Sequence, residues 1–235
     1  SAASDVYKRQ GIIFVEGISE AILLPEIAKI LDRPLEKYAV ELVNVDSVAF
    51  SPFVNLFSSQ NVQTCFSKVA IVTDDDRCTK KSETNYINKD FDYDDVNSDI
   101  SGKLLSGTPS ERCNELETSC RAVGINVFKA TKTLEYALCC DENNIEYFIE
   151  AIKSEYSQLG PALEQKVNSL HDMNEKAACV WLFIRAREKC KGAIAQYISQ
   201  IIKKQCEMRK RGENIEKEFV IPDYLKEAVY CVTER

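Results

Sequence analysis

Four short strand-like runs, at residues 11–15, 40–45, 69–73 and 126–130, constrain this chain more than any other feature. The first, Gly-Ile-Ile-Phe-Val, and the third, Val-Ala-Ile-Val-Thr, are apolar without alternation, as expected of strands covered on both faces. Segments with helical spacing separate the runs. After Glu16-Gly17 breaks the first, Ser19 offers a cap, and residues 20–31 place Ile22, Leu23, Ile27 and Ile30 at helical intervals. Ser51-Pro52 sets a capping residue before a proline at the first helical position and opens a short helix to about Ser59. Thr108-Pro109-Ser110-Glu111 has capping-box form and predicts a helix to about Val123, with Gly124 as its stop. Strands alternating with helices imply an α/β fold, a parallel sheet with right-handed crossovers and helices on its faces.

From about Glu142 the pattern becomes purely helical. Ile194, Tyr197, Ile198, Ile201 and Ile202 fall on one face of a long helix, residues 213–218 read as a charged connector, and 219–224 lead into a final short helix. The expected organisation is therefore a catalytic α/β unit over 11–140, with a polar, acidic loop insertion at 77–103, and a helical annex over 141–235. Residues 1–10 stand apart: Asp5-Val6-Tyr7-Lys8-Arg9-Gln10 resembles a translated library-adapter sequence, and the absence of an initiator Met fits a truncated reading frame.

Composition narrows the classes. A net charge of −7 argues against broad coating of nucleic acid but leaves a local basic groove open. No run of about 18 apolar residues suggests a membrane span. The ten cysteines contain no CxxC pair, and His171 is the sole histidine, which disfavours a zinc site; the thiols read as reduced, buried and cytoplasmic.

Chemistry should gather where strands end, because ligands of open parallel sheets bind at the carboxyl edge. There the sequence places Glu16, with Glu20 four residues on, then Asp74 and Asp76, and Glu135 just past the fourth run; Asp46 ends the second. Glu16 and Glu20 straddle a strand-to-helix turn and can face one crevice. Clustered carboxylates repel unless protons or cations offset them. Oxygen-only donors suit Mg²⁺ or Mn²⁺, and two such ions about 4 Å apart are suited to in-line displacement at a phosphodiester.

These residues resemble the Toprim superfamily: Phe14-Val-Glu-Gly17 with Ser19-Glu20 is similar to its glutamate motif, and Val72-Thr-Asp-Asp-Asp76 to its DxD motif. Val45-Asp-Ser-Val-Ala-Phe-Ser-Pro-Phe53, Lys132-Thr-Leu-Glu-Tyr136, Lys191-Gly-Ala-Ile-Ala-Gln196 and Val220-Ile-Pro-Asp-Tyr224 narrow the resemblance to the C-terminal half of OLD (overcoming lysogenization defect) nucleases, from about Gly11 to Thr233. The resemblance implies a Toprim-type, four-stranded, mainly parallel sheet. It also implies a two-metal (Mg²⁺ or Mn²⁺) DNA endonuclease, partnered by an N-terminal ABC-type ATPase domain that dimerises, in phage defence or DNA processing. Position by position, Glu16, Glu20, Asp74, Asp76 and Glu135 match metal-site acids, with Glu16 and Glu135 also catalytic. Lys191 matches the lysine beside the scissile phosphate, with Lys189 as its rival. Asp46 stands where many members have glycine. No P-loop occurs; Ser101-Gly-Lys103 lacks the upstream glycine.

Lesser signals read more blandly. Asp90, Asp92 and Asp94 open like a calcium loop, but Asp95 and Ser101 stand where glycine and glutamate are needed, so a solvated acidic loop is expected. Lys203 and Lys204, with Lys189, are candidate phosphate contacts, though a solvated helix end serves as well. His171 reads as a surface residue, Trp181 as helix core and Cys139-Cys140 as buried thiols. Two further functions compete with the nuclease. Another Toprim activity, primase or topoisomerase, lacks its accessory modules here; a non-catalytic DNA-binding or interaction module is disfavoured by the retained acids.

Overall fold

A computed structural model describes residues 11–57, 68–77, 91–105 and 107–234. The 1–10 leader, Cys65, Cys78, Asp90 and the end of the helix expected to reach Ser59 lie outside the described residues. All four expected strands form: β1 (Gly11–Val15), β2 (Val40–Asn44), β3 (Lys68–Asp74) and β4 (Asn126–Ala130). They run parallel throughout, in the order β2-β1-β3-β4. Val15 is in register with both Asn44 and Val72, and Asp74 with Ala130, so every strand finishes on one edge. The chain runs from β1 outward to β2, then returns past β1 to β3. The β1/β3 boundary is therefore the switch point, where helices leave to opposite faces and a crevice opens.

Burial explains the apolar runs. Ile13 and Val15 enter the larger core with α1 (Ile18–Ile30), α9 (Lys191–Lys210) and α10 (Asp223–Thr233). Their neighbours Ile12 and Phe14 enter a second core with α2 (Ser51–Phe57) and α4 (Glu111–Ala122). Successive strand residues face opposite sides, so a doubly covered strand must be apolar at every position. Each fully buried Ile, Val or Phe contributes about 1.5–3 kcal/mol. The edge strand β2 is correspondingly more exposed.

The remaining helices are α3 (Ser98–Leu105), α5 (Leu134–Cys139), α6 (Glu142–Glu155), α7 (Leu159–Ser169) and α8 (Met173–Arg185). Residues 177–184 of α8 are all buried, among α3, α5, α6 and α7. On α9, Ile194, Ile198 and Ile202 are buried and Tyr197 and Ile201 partly so; the helix lies against α1 and α6, while α10 crosses β1, β3 and β4. The helical region thus shares one continuous core with the sheet.

Three local expectations are corrected. The cap of α1 is Gly17, in extended backbone, and Ser19 sits buried inside the helix. The cap of α4 is Ser110 rather than Thr108: its Oγ accepts the Cys113 N–H at 3.3 Å, and its own N–H donates to the Asp75 carbonyl, tying the helix start to the end of β3. The expected loop at 77–103 carries regular structure over its described part, residues 91–103. There a 3-10 turn (Tyr93–Asp95) and α3 bury Tyr93, Val96, Ile100 and Leu104 in the main core, because this segment covers α8. Asp92 caps that turn by accepting from the Tyr93 N–H. Gly124 ends α4 at φ 76°, in a Schellman arrangement with Ile125 N–H donating to the Cys120 carbonyl.

His171 is exposed and Trp181 buried. Eight cysteines are described, all free thiols; Cys139 is buried, which holds its thiol well above the usual range, whereas Cys140, expected to be buried, is exposed at the end of its helix. Among the described residues, no helix is long and apolar enough to cross a membrane.

Candidate metal centre

The carboxyl edge of the sheet collects the acids. Glu16 follows β1 directly, and its Oε2 accepts from the Thr73 hydroxyl at 2.6 Å and the Asp74 N–H at 3.3 Å. Those two bonds bridge the switch point and fix the carboxylate. The loop after β2 braces the same place, since the Ser47 N–H donates to the Glu16 carbonyl at 3.1 Å. Asp46, one residue earlier, is exposed and left-handed at φ 52°, a conformation that glycine adopts most easily. It belongs to the turn, apart from the acid cluster.

Asp74 closes β3, and its Oδ1 accepts from the Leu134 N–H at 2.9 Å, at the start of α5. Glu135 is the next residue on that helix, 6% exposed. Thr133 caps α5 with its hydroxyl on the Tyr136 N–H at 3.3 Å. Glu20, in the first turn of α1, is 7% exposed. Lys191 reaches in from the start of α9, with Nζ 3.6 Å from Glu135 Oε1. Its rival Lys189 points to solvent, as do Lys203 and Lys204. The latter two lie 12 and 13 residues further along α9 than Lys191, roughly 18–20 Å at 1.5 Å per residue. The structure therefore brings Glu16, Glu20, Asp74, Asp76, Glu135 and Lys191 together and leaves those three lysines outside.

The electrostatics show how closely the acids crowd. Burial, then the charges of Glu135 and Glu16, push Glu20 from 4.5 up to about 7, against a lowering by its own backbone hydrogen bond and by Lys191. Burial, then Glu20, Glu16, Glu135 and Asp76, hold Asp74 well above the usual carboxylate range. Burial lowers the Lys191 pKa, but Glu135, Asp74 and Glu20 outweigh it and keep the ammonium charged. One lysine does not neutralise five carboxylates. An oxygen-only donor set with excess negative charge fits a hard divalent cation. Among the described residues, no three His, Cys, Asp or Glu side chains are already arranged to hold a metal ion.

Three participants went unread in the sequence. Arg112, in the first turn of α4, donates from Nη2 to Asp76 Oδ2 at 2.7 Å and to the Asp74 carbonyl at 3.4 Å, and lies 3.9 Å from Glu16 Oε2. Nothing local distinguishes it from any other arginine; only the fold carries it there. Tyr224 of α10 buries a hydroxyl with no hydrogen-bond partner among the described residues, and Asp74, Glu20 and Glu135 are its acidic neighbours. It is the last residue of the Val-Ile-Pro-Asp-Tyr segment, the one signal in the sequence that points to it. Asp75, 3% exposed, turns away from the cluster: it accepts from Arg77 Nε at 2.9 Å and from the Lys132 N–H at 2.9 Å, and so pins the left-handed Lys132 (φ 68°) between β4 and α5. Lys132 Nζ in turn donates to the Arg77 carbonyl and lies over the Trp181 ring at 5.1 Å.

Residues 10–76 match the family described as overcoming lysogenization defect protein-like, TOPRIM domain. Solved structures show the same fold over almost the whole chain. The C-terminal region of the Xanthomonas campestris pv. campestris OLD protein, phased with iodine, has TM-score 0.57 and 20% identity over 95% of this chain and 94% of that one. Its platinum-phased counterpart has TM-score 0.56 and 21% identity over 98% and 95%. The C-terminal region of the Burkholderia pseudomallei OLD protein has TM-score 0.55 and 20% identity over 96% and 97%. No curated protein matches the chain in sequence.

Proposed function

We propose that the chain is a divalent-metal-dependent DNA endonuclease, because residues 10–76 match an OLD-like Toprim domain and the chain carries the α/β fold of OLD C-terminal regions. The observation that carries this reading is the crowding of Glu16, Glu20, Asp74 and Glu135 at the β1/β3 switch point, which with burial raises the pKa values of Glu20 and Asp74. Carboxylates placed at such cost to their charged forms need a counter-charge, and Mg²⁺ or Mn²⁺ suits their oxygens. Glu16, Glu20, Asp74, Asp76 and Glu135 are the proposed ligands of two ions.

Two such ions supply Lewis acidity and a water acidified enough to attack a phosphodiester. The chain's own residues do the rest. Thr73 and the Asp74 N–H orient Glu16, and the Leu134 N–H orients Asp74, so the donor oxygens are fixed before any ligand arrives. Lys191 holds a half-buried positive charge beside Glu135, where it can stabilise negative charge developing on a phosphoryl group. Glu20, protonated in part near neutral pH, can exchange a proton within the cluster. The solved counterparts are themselves C-terminal regions; the accompanying proposal of an N-terminal ABC-type ATPase partner domain that dimerises, and of a role in phage defence or DNA processing, rests on the motif resemblance alone.

A supercoiled-plasmid assay with Mg²⁺, Mn²⁺ and chelator tests the central claim. Wild type nicks with either ion and stops with chelator; Glu16→Ala and Asp74→Ala abolish nicking while remaining folded. Full activity in either variant sinks the assignment. One observation favours a non-catalytic DNA-binding module instead: Arg112 already neutralises part of the acid cluster. DNA binding that ignores chelator, without nicking in either ion, selects that alternative.

A further inference from the structure

Arg112 lines a cleft of about 230 Å³ between α2 and α4, together with Ser51, Val54, Asn55, Glu115 and Ser119. Its guanidinium divides its bonds unequally. Nη2 serves Asp76 and the Asp74 carbonyl, whereas Nη1 is buried with no acceptor among the described residues. An unmet buried donor on a charged group is costly, and it marks a place where an acceptor belongs. Ser51, Asn55 and Ser119 offer the cleft hydrogen-bonding groups for a phosphate and part of its sugar, the Arg112 charge offsets that of Glu115, and the planar fork of arginine matches phosphate oxygens.

Resting on the nuclease reading, we propose that Arg112 is a phosphate-binding residue for the nucleic-acid strand, held in reserve by Asp76 and Glu16. The charge balance sets the order of events. Asp76 and Glu16 are both acids offered to cations, and each is within ion-pair reach of Nη2. A divalent cation brings two positive charges where the guanidinium brings one, so it displaces Arg112 from the carboxylates and frees the fork for a phosphate. The arginine thus competes with the cation when the site is empty and assists the substrate when it is filled.

Those two roles have opposite signs, which a purely structural residue does not produce. Mn²⁺ binding to the full chain is read from the EPR signal of the free ion, and duplex binding from the anisotropy of a fluorescein-labelled oligonucleotide in Ca²⁺ across a salt series. In R112Q, Mn²⁺ should bind roughly three- to tenfold more tightly, since a competing charge is gone. The slope of log affinity against log salt should flatten by about 0.9, one duplex phosphate contact. R112K, which keeps the charge, should hold the wild-type slope. Unchanged or weaker Mn²⁺ binding in R112Q, or an unchanged slope, overturns the assignment. Wild type that binds no Mn²⁺ overturns the nuclease reading itself, and with it this one. If R112Q fails to fold, the wild-type Arg112 Nε–H resonance decides: it must shift when duplex is added in Ca²⁺, and a stationary signal overturns the proposal.

Discussion

Glu20→Gln converts the electrostatics of the cluster into a stability measurement. In the metal-free protein the Glu20 carboxyl is raised from 4.5 to about 7, first by burial and then by Glu135 and Glu16. Below pH 4.5 the group is protonated in both folded and unfolded chains and contributes no penalty. Between 4.5 and about 7 the unfolded chain releases its proton while the folded one keeps it, so stability falls as pH rises. The loss is complete above the folded value. At about 1.4 kcal/mol per pH unit it amounts to about 3 kcal/mol, with no discount for solvent because the side chain is buried. Glutamine keeps the shape and cannot ionise. The variant should therefore match wild type at pH 4.5 and exceed it by about 3 kcal/mol at pH 8, or roughly 6–12 °C in Tm for a chain of this size. Relief of Asp74, whose raised pKa owes part of its shift to Glu20, adds to the gain. Urea denaturation in chelator at both pH values gives the comparison, and Mn²⁺ should narrow the gap at pH 8 by stabilising wild type alone. A stability difference independent of pH, or a variant less stable than wild type at pH 8, refutes the reasoning.

Other substitutions separate chemistry from scaffold. Lys191→Met should lower the nicking rate by about 10²–10³-fold with the fold intact by circular dichroism, because a positioned, half-buried charge is lost; a rate within about threefold of wild type removes Lys191 from the mechanism. Asp75→Ala should cost about 3–5 kcal/mol in urea denaturation, since it strands Arg77 and frees the Lys132 turn, and metal should not rescue it. A loss below about 1 kcal/mol contradicts that role. Gly160→Ala should destabilise by about 1–3 kcal/mol despite alanine's better helix propensity, because the new Cβ falls 2.7 Å from Lys153 Cα where α7 meets α6; a neutral result in the same denaturation shows that the helices can part.

The strands were legible because double burial forces apolar residues at consecutive positions, a signal local to each run. The acids were legible for a related reason: in a parallel sheet every carboxyl end shares one edge, so Glu16, Asp74 and Glu135 had to be neighbours once the strands were right. Elsewhere the signal failed on physical grounds. Tyr93, Val96, Ile100 and Leu104 keep helical intervals, but Asp92, Asp94, Asp95 and Asp99 between them drown the periodicity. Lys189 and Lys191 differ only in how the 3-10 turn at Glu188–Cys190 hands over to α9, and that turn aims one inward and the other to water. Arg112 and Tyr224 reach the cluster from helices distant in sequence, where no spacing rule operates.

Asp74, Asp75 and Asp76 carry the sharpest form of that limit. As letters they are identical, and the resemblance assigns roles to the outer two alone. In the fold each faces a different partner: Asp74 takes the Leu134 N–H and the repulsion of three glutamates, Asp75 takes Arg77 and Lys132, and Asp76 takes Arg112. The middle residue is thus the one whose charge is already balanced, and it holds the β4–α5 turn that presents Glu135. Asp76 reaches its place through a left-handed backbone, at φ 45°, and its N–H on the Lys132 carbonyl ties it to that same turn. The three carboxylates therefore form one mechanical unit, in which a structural aspartate sets the distance between two functional ones. Loss of Asp75 should consequently impair the site even where the protein remains folded, and it should do so through Glu135 and Asp76 rather than through any ligand of its own.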